Sequence, residues 1–138
     1  MVNEFGLKIV SPSASHESQK SGSVTVPGSQ GYLTILPGHT AMVAELGIGE
    51  LQVSSNSGQS KKSFFVSGGF VEVKGDEVVV LADVVEAAEK IDLKAAEDRK
   101  LEIVKDLTTS PDAETLASSQ KMLKEVEYRI KLAKLVAK

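Results

Sequence analysis

The chain has no cysteine and no tryptophan, and only 4% of its residues are aromatic. Without cysteine there is no disulfide framework, no thiolate metal site and no cysteine nucleophile, and the composition fits a reducing compartment. With so few rings, Val, Leu, Ile and Ala must build the core from an apolar share of 41%. Strong charge of one sign is missing as well. A formal net charge of −3 leaves no electrostatic footprint for nucleic acid, and no such partner is expected. No stretch approaches the roughly 18 to 20 apolar residues of a membrane-spanning helix. The opening MVNEFGLKIV, with Glu4 and no long apolar run, does not read as a signal or transit peptide.

Histidine is nearly absent: only His16 and His39 occur. They show no HxH or HExxH spacing, so no metal is expected. There is no GxSxG elbow, no GxGxxG and no GxxxxGK[ST], so neither a serine hydrolase nor a phosphate-cradling loop is indicated. His39 sits beside Pro37-Gly38 and reads as a turn residue. His16 lies in the polar SPSASHESQKSGS, residues 11–23, which reads as a surface loop.

What is present is unevenly placed. All 11 glycines, and Pro12, Pro27 and Pro37, precede residue 86, and beyond it Pro111 is the only proline. The first part alternates short Val/Ile/Leu/Phe runs with turn signals, as a β-sandwich or barrel does. Strands are expected at Phe5–Ile9, at Val24–Val26 ending on a Pro27-Gly28 turn, and at Tyr32–Leu36. Others fall around Met42–Leu46, at Leu51–Val53 before an Asn56-Ser57-Gly58 loop, and at Ser63–Ser67 ending on Gly68-Gly69. FVEVKGDEVVVLAD reads as a hairpin turning at Gly75-Asp76, with Val78–Leu81 covered on both faces.

The second part reads as two helices joined through Thr108–Asp112 into an antiparallel hairpin. The first is expected over about Val85–Leu107 and the second up to about Val136. In the second, Leu116, Ser119, Leu123, Val126, Ile130, Ala133 and Ala137 recur at steps of three and four. Such a pair buries little by itself and is expected to be only loosely stable alone. From residue 120 onward Lys121, Lys124, Arg129, Lys131, Lys134 and Lys138 outnumber Glu125 and Glu127. That pattern suits a solvated face with cations near a helix C-terminus, or a helix that docks on an acidic surface.

VTVPGSQGYLTILPGHT at 24–40, followed by FFVSGGFVEVKGDEVVVLADVVEAAEKID at 64–92, resembles the epsilon subunit of bacterial F-type ATP synthases. The resemblance covers nearly the whole chain. It implies an α+β fold, with an N-terminal β-sandwich of about ten strands at 1–86 and a two-helix hairpin at 87–138. It further implies a central-stalk subunit without catalytic residues. Such a subunit binds gamma and the c-subunit ring, on the cytoplasmic face of the bacterial inner membrane. Gln30, Gly31, Tyr32, Leu33, Pro37, Gly38 and His39 map to the end that faces the c ring. Tyr32 stands where a Glu is common and Thr34 where a Gly is common.

The helical tail resembles a regulatory element that inhibits ATP hydrolysis when extended into the catalytic head of alpha and beta subunits. Lys121, Lys124, Arg129, Lys131 and Lys134 are its candidate contacts with beta. Some relatives bind ATP through Ile-Asp-x-x-Arg-Ala. Here Ile91 and Asp92 are kept but Ala95 replaces the Arg, so weak or absent ATP binding and no other cofactor are expected. Two rival readings are a small β-sandwich enzyme using His39 and a free-standing β-sandwich interaction module with a helical lid.

Overall fold

A computed structural model describes residues 4–12, 14–55, 61–109 and 112–136. The Asn56-Ser57-Gly58 loop, the Ser110-Pro111 break, Ala137 and Lys138 lie outside them. The chain divides into two compact units, Met1–Ala87 and Ala88–Lys138.

The first unit contains β1 (Phe5–Ser11), β2 (Ala14–Ser21), β3 (Ser23–Gly28), β4 (Gly31–Ile35), β5 (Met42–Glu45), β6 (Ile48–Ser54), β7 (Lys61–Lys74) and β8 (Glu77–Ala87). Two of these strands are long because each serves both layers. The first half of β7 pairs β6 and the second half pairs β5. The first half of β8 pairs β1, in parallel, and β8 follows β7 along its whole length. One layer therefore runs β4-β3-β6 and on to the Lys61–Ser67 half of β7 and the end of β8. The other runs from β5 through Phe70–Lys74 and the start of β8 to β1 and β2. Counting the halves separately turns the eight described strands into the ten or so that the resemblance implies.

The passage between layers is at Gly68-Gly69, where both φ angles are positive, 72° and 109°. A Cβ on Gly69 would lie 2.0 Å from the carbonyl oxygen of Leu81 and 2.8 Å from the Cα of Ala82. Only a residue without a side chain lets β8 stay this close. Gly68-Gly69 thus bends a strand that continues to Lys74 instead of ending it.

Alternation explains the core. Phe5, Leu7 and Ile9 of β1 meet Val78, Val80 and Ala82 of β8, Val71 and Val73 of β7, Val24, Val26 and Ile35, and Leu51, Val53, Phe64, Val66 and Val85. Each fully buried side chain contributes roughly 1.5–3 kcal/mol of transfer free energy. Leu81 departs from the expectation for Val78–Leu81: it points outward and is 49% exposed, opposite Phe70 at 51%. Strict period-2 alternation decides the matter, because this layer has one core face.

Three further expectations are corrected. Residues 14–21 form a strand instead of a loop, since the backbone ladder to β1 (Phe5↔Ser21 through Ser11↔Ala14) needs no apolar side chains at a sheet edge. Pro27-Gly28 lies within β3, paired with Tyr32 and Gly31, and the turn is Ser29-Gln30. Val85–Ala87 belong to β8, opposite Val66, Phe65 and Phe64, so their helix-like pattern yields to strand pairing.

In the second unit a single 3-10 turn, Ala88–Lys90, precedes α1 (Leu93–Thr109) and α2 (Ala113–Val136). Asp92 sets the start of α1, its Oδ1 accepting the Ala95 amide at 3.1 Å, and Asp112 does the same for α2 through Thr115 at 2.7 Å. Ala96, Ile103 and Val126 are buried together, packed by Leu107, Met122, Leu123 and Ile130. The stripe on α2 is realised from Ser119 to Ala133, whereas Leu116 is 37% exposed. Ser119 and Ala133 are buried at its two ends.

Candidate functional site

The β3–β4 hairpin and the turn after it gather the sequence-derived positions of the first unit. Gly28 and Gly31 face each other across Ser29-Gln30. The hairpin tip is tied down by three backbone links. The Ser29 amide donates to the Glu45 carbonyl at 2.9 Å, the Gly47 amide donates to the Pro27 carbonyl at 2.7 Å, and Gly28 bridges to Leu46. Between tip and β5 lies an open cavity of about 290 Å3, lined by Gly28–Leu33 with Ala44 and Glu45.

Tyr32 is 52% exposed, yet its hydroxyl is held, accepting the Glu50 amide at 3.2 Å. A Cβ on Gly49 would come within 2.6 Å of that hydroxyl oxygen. A phenol therefore takes the position where the resemblance implies a carboxylate, and it is anchored to its own chain. Thr34 Oγ1 pairs with Thr25 Oγ1 at 3.0 Å across the same hairpin.

β4 ends at Ile35 and the chain reverses through Leu36-Pro37-Gly38-His39, closed by the His39 amide donating to the Leu36 carbonyl at 3.1 Å. Pro37 presets the first central φ, and Gly38, at φ 81°, supplies the positive φ of the second, as a type II turn requires. His39 is half-buried, and its Nδ1 lies 2.7 Å from the Thr40 carbonyl oxygen. A carbonyl oxygen only accepts, so Nδ1 is the donor in this contact. No group of metal-ligating side chains occurs among the described residues.

Gln30, Gly31, Tyr32 and Leu33 are thus brought together at the cavity, while Pro37, Gly38 and His39 form a separate turn. Glu45, on another wall of the cavity, was not singled out from the sequence. The available signal was its place as the outward, polar end of an alternating strand, MVAE.

On α2, Lys121, Lys124, Lys131 and Lys134 are exposed. At 3.6 residues per turn Lys124 and Lys131 share a face, and Lys121 lies between that face and Arg129 around the helix. Arg129 is half-buried and already engaged within the chain. Lys131 places its Nζ 5.5 Å from the Tyr128 ring centre. Ile91 is buried, and the carboxylate of Asp92 is occupied as the α1 cap. No helix among the described residues is long and apolar enough to cross a membrane.

Residues 4–88 match the family "ATP synthase, Delta/Epsilon chain, beta-sandwich domain". An ATP synthase epsilon chain of Solibacter usitatus is 42% identical over 96 residues, spanning 70% of this chain and 70% of the relative. One from Prochlorococcus marinus is 34% identical over 133 residues, 94% of this chain and 98% of the relative. Among solved structures, a chain of the Euglena gracilis mitochondrial ATP synthase OSCP/F1/c-ring assembly matches with a TM-score of 0.81 at 22% identity. It covers 98% of this chain and 83% of that one. A chain of the Tetrahymena thermophila central stalk/c-ring assembly matches at 0.66 and 13%, covering 93% and 95%. At those identities the likeness is one of fold.

Proposed function

The chain belongs to the ATP synthase epsilon chain family, and on that premise we propose that it is a non-catalytic rotor subunit of the central stalk of a proton-translocating F-type ATP synthase. In this role the sandwich binds gamma and meets the c ring, coupling the catalytic head of alpha and beta subunits to the membrane sector. The subunit sits peripherally on the cytoplasmic face of the bacterial inner membrane. The observation that carries the reading is the end-to-end match to epsilon chains, 133 residues with both the sandwich and the helices included. The test is reconstitution with gamma. A stable gamma complex is expected, and a chain that never co-purifies with gamma overturns the assignment.

The end of the sandwich bearing Gln30, Gly31, Tyr32, Leu33, Pro37, Gly38 and His39 is the proposed c-ring side. The rigid 36–39 turn and the tied-down hairpin tip support this, because a coupling contact needs a surface that does not yield.

The helical unit is proposed as the mobile regulatory tail, with Lys121, Lys124, Arg129, Lys131 and Lys134 facing beta in its extended form. Exposed ion pairs are worth about 0 to 1 kcal/mol each, enough to bias two balanced states but not to impose one against a large gap. Truncation after Ala88 is expected to raise ATP hydrolysis by the assembled head. Charge reversal at Lys121, Lys124 and Lys131 is expected to do so in part, and unchanged hydrolysis in both rejects inhibition. ATP binding by the isolated chain is weak or absent, since Ala95 offers no guanidinium and Asp92 is committed to its cap. Micromolar binding by calorimetry would reverse that statement.

A further inference from the structure

The outer face of the layer from β5 to β2 carries two rows that follow from the strand register. Phe70, Leu81 and Val10 lie side by side on β7, β8 and β1. Glu72, Val79 and Lys8 form the next row on the same three strands. Phe70 and Leu81 are about half exposed, and Val79 and Val10 are half-buried. Single exposed apolar side chains are ordinary, but a contiguous set rimmed by charge marks an interaction surface. Lys8 and Glu72 flank Val79 on its two sides. Both are exposed, and neither makes an ion pair among the described residues. The face therefore has an apolar line along β8 with one cation and one anion placed evenly about it.

We propose that this face pairs with the same face of a second copy of the chain, about a two-fold axis that runs along β8. Such an axis exchanges β7 with β1. Leu81 and Val79 then each meet their own counterparts, Phe70 covers Val10, and Glu72 stands opposite Lys8 twice over. An entirely acidic or entirely basic partner would leave Lys8 or Glu72 facing a like charge, whereas a second copy satisfies both. Sheets packed face to face keep their strands within about 30° of each other, which this arrangement allows. Lys74 and Glu77 lie one row farther out, toward the strand ends, where the twist of the two sheets leaves water between them. Six side chains fall short of the roughly 20 to 30 residues per side of a standard interface, so the association is weak, with a Kd on the order of 100 µM. The inference does not depend on the central-stalk reading.

Sedimentation of the full chain at low salt, from about 10 µM to about 1 mM, reads the association. The wild type should pass from monomer to dimer over that range. Leu81→Glu places two carboxylates on the axis and should weaken the dimer at least about tenfold. Leu81 points outward, so circular dichroism should match the wild type. Lys8→Glu and Glu72→Lys each turn two attractions into repulsions and should each weaken the dimer about threefold to tenfold. Mixed in equal amounts, those two variants should associate with near wild-type affinity, because each supplies the charge that the other lacks. A mixture that associates no better than either variant alone overturns the inference. A wild type that stays monomeric throughout also overturns it, and if Leu81→Glu then fails to co-purify with gamma, the face belongs to gamma.

Discussion

Replacing Gly69 with alanine attacks the point where β7 changes layers. Two costs combine. At φ 109° a side chain is strained whatever the surroundings, which costs about 1–3 kcal/mol. The added Cβ would also sit 2.0 Å from the Leu81 carbonyl oxygen and 2.8 Å from the Ala82 Cα. Both are backbone atoms, so no rotamer change relieves the overlap. Strands β7 and β8 must separate by about 1 Å or more, which stretches the flanking ladder bonds beyond their working range and forfeits about 1 kcal/mol for each. Together these give about 4 kcal/mol, a large part of the ~5–15 kcal/mol that a domain of this kind possesses.

Gly38→Ala provides the control. Its φ of 81° is also positive, but nothing lies within 4 Å of the added Cβ. It should cost only about 1 kcal/mol. Urea denaturation followed by circular dichroism separates the two. With a slope of about 2 kcal/mol per molar, Gly69→Ala should lower the midpoint by about 2 M and Gly38→Ala by about 0.5 M. Equal shifts for the two variants would refute the close-approach argument and reduce the Gly68-Gly69 corner to backbone preference alone.

Ser21 is fully buried, and its Oγ finds no hydrogen-bond partner among the described residues. Ser21→Ala should therefore raise stability by about 1 kcal/mol, read as a higher urea midpoint. Ile103→Ala removes the largest buried side chain of the cluster between α1 and α2. It should cost the helical unit about 3 kcal/mol, seen as earlier loss of the helical signal on heating. Asp112 is held below its ordinary value of 3.8, first by the Thr115 amide and then by the Thr115 hydroxyl. The folded form thus favours the carboxylate. Its contribution to the α2 cap is complete above the unfolded value and is lost as pH falls below 3.8 through the lowered one. Asp112→Asn should keep the cap and abolish that part of the acid dependence of helicity.

Turn chemistry was legible at two places and misleading at Pro27-Gly28 and Gly68-Gly69, which lie within strands. Pro37-Gly38 and Gly75-Asp76 demand particular φ values, and the chain reverses at both. Alternation located the start of the core: Phe5, Leu7 and Ile9 are buried where period 2 places them, whereas Val78–Leu81, read as covered on both faces, alternates with Val78 and Val80 buried and Leu81 outward. The misreadings have physical causes. The strand Ala14–Ser21 is made by backbone bonds to β1 and carries no apolar signature. Val85–Ala87 resemble the start of a helix, but pairing with Val66, Phe65 and Phe64 outweighs local propensity, and only Asp92 offers a cap.

Gly68-Gly69 punctuates the sequence like a turn, although the partner strand bends with it and the ladder resumes at Gly69↔Ala82. At the candidate site the turn positions were legible and the cavity was not. Tyr32 and Glu45 are far apart along the chain. They line one cavity only through the docking of the hairpin tip on β5, a long-range register that local pattern does not encode.

The shared strands also bear on mechanical behaviour. In a sandwich whose layers touch only through side chains, a shearing force is opposed by packing alone. Here β7, 14 residues long, is a member of both layers, and β8 accompanies it through the same bend. Sliding one layer over the other would require tearing the ladder at Gly69↔Ala82 or stretching covalent bonds. A twist applied at one face is therefore conveyed to the other along peptide bonds, with little slack, which is the quality a part in a rotating shaft needs.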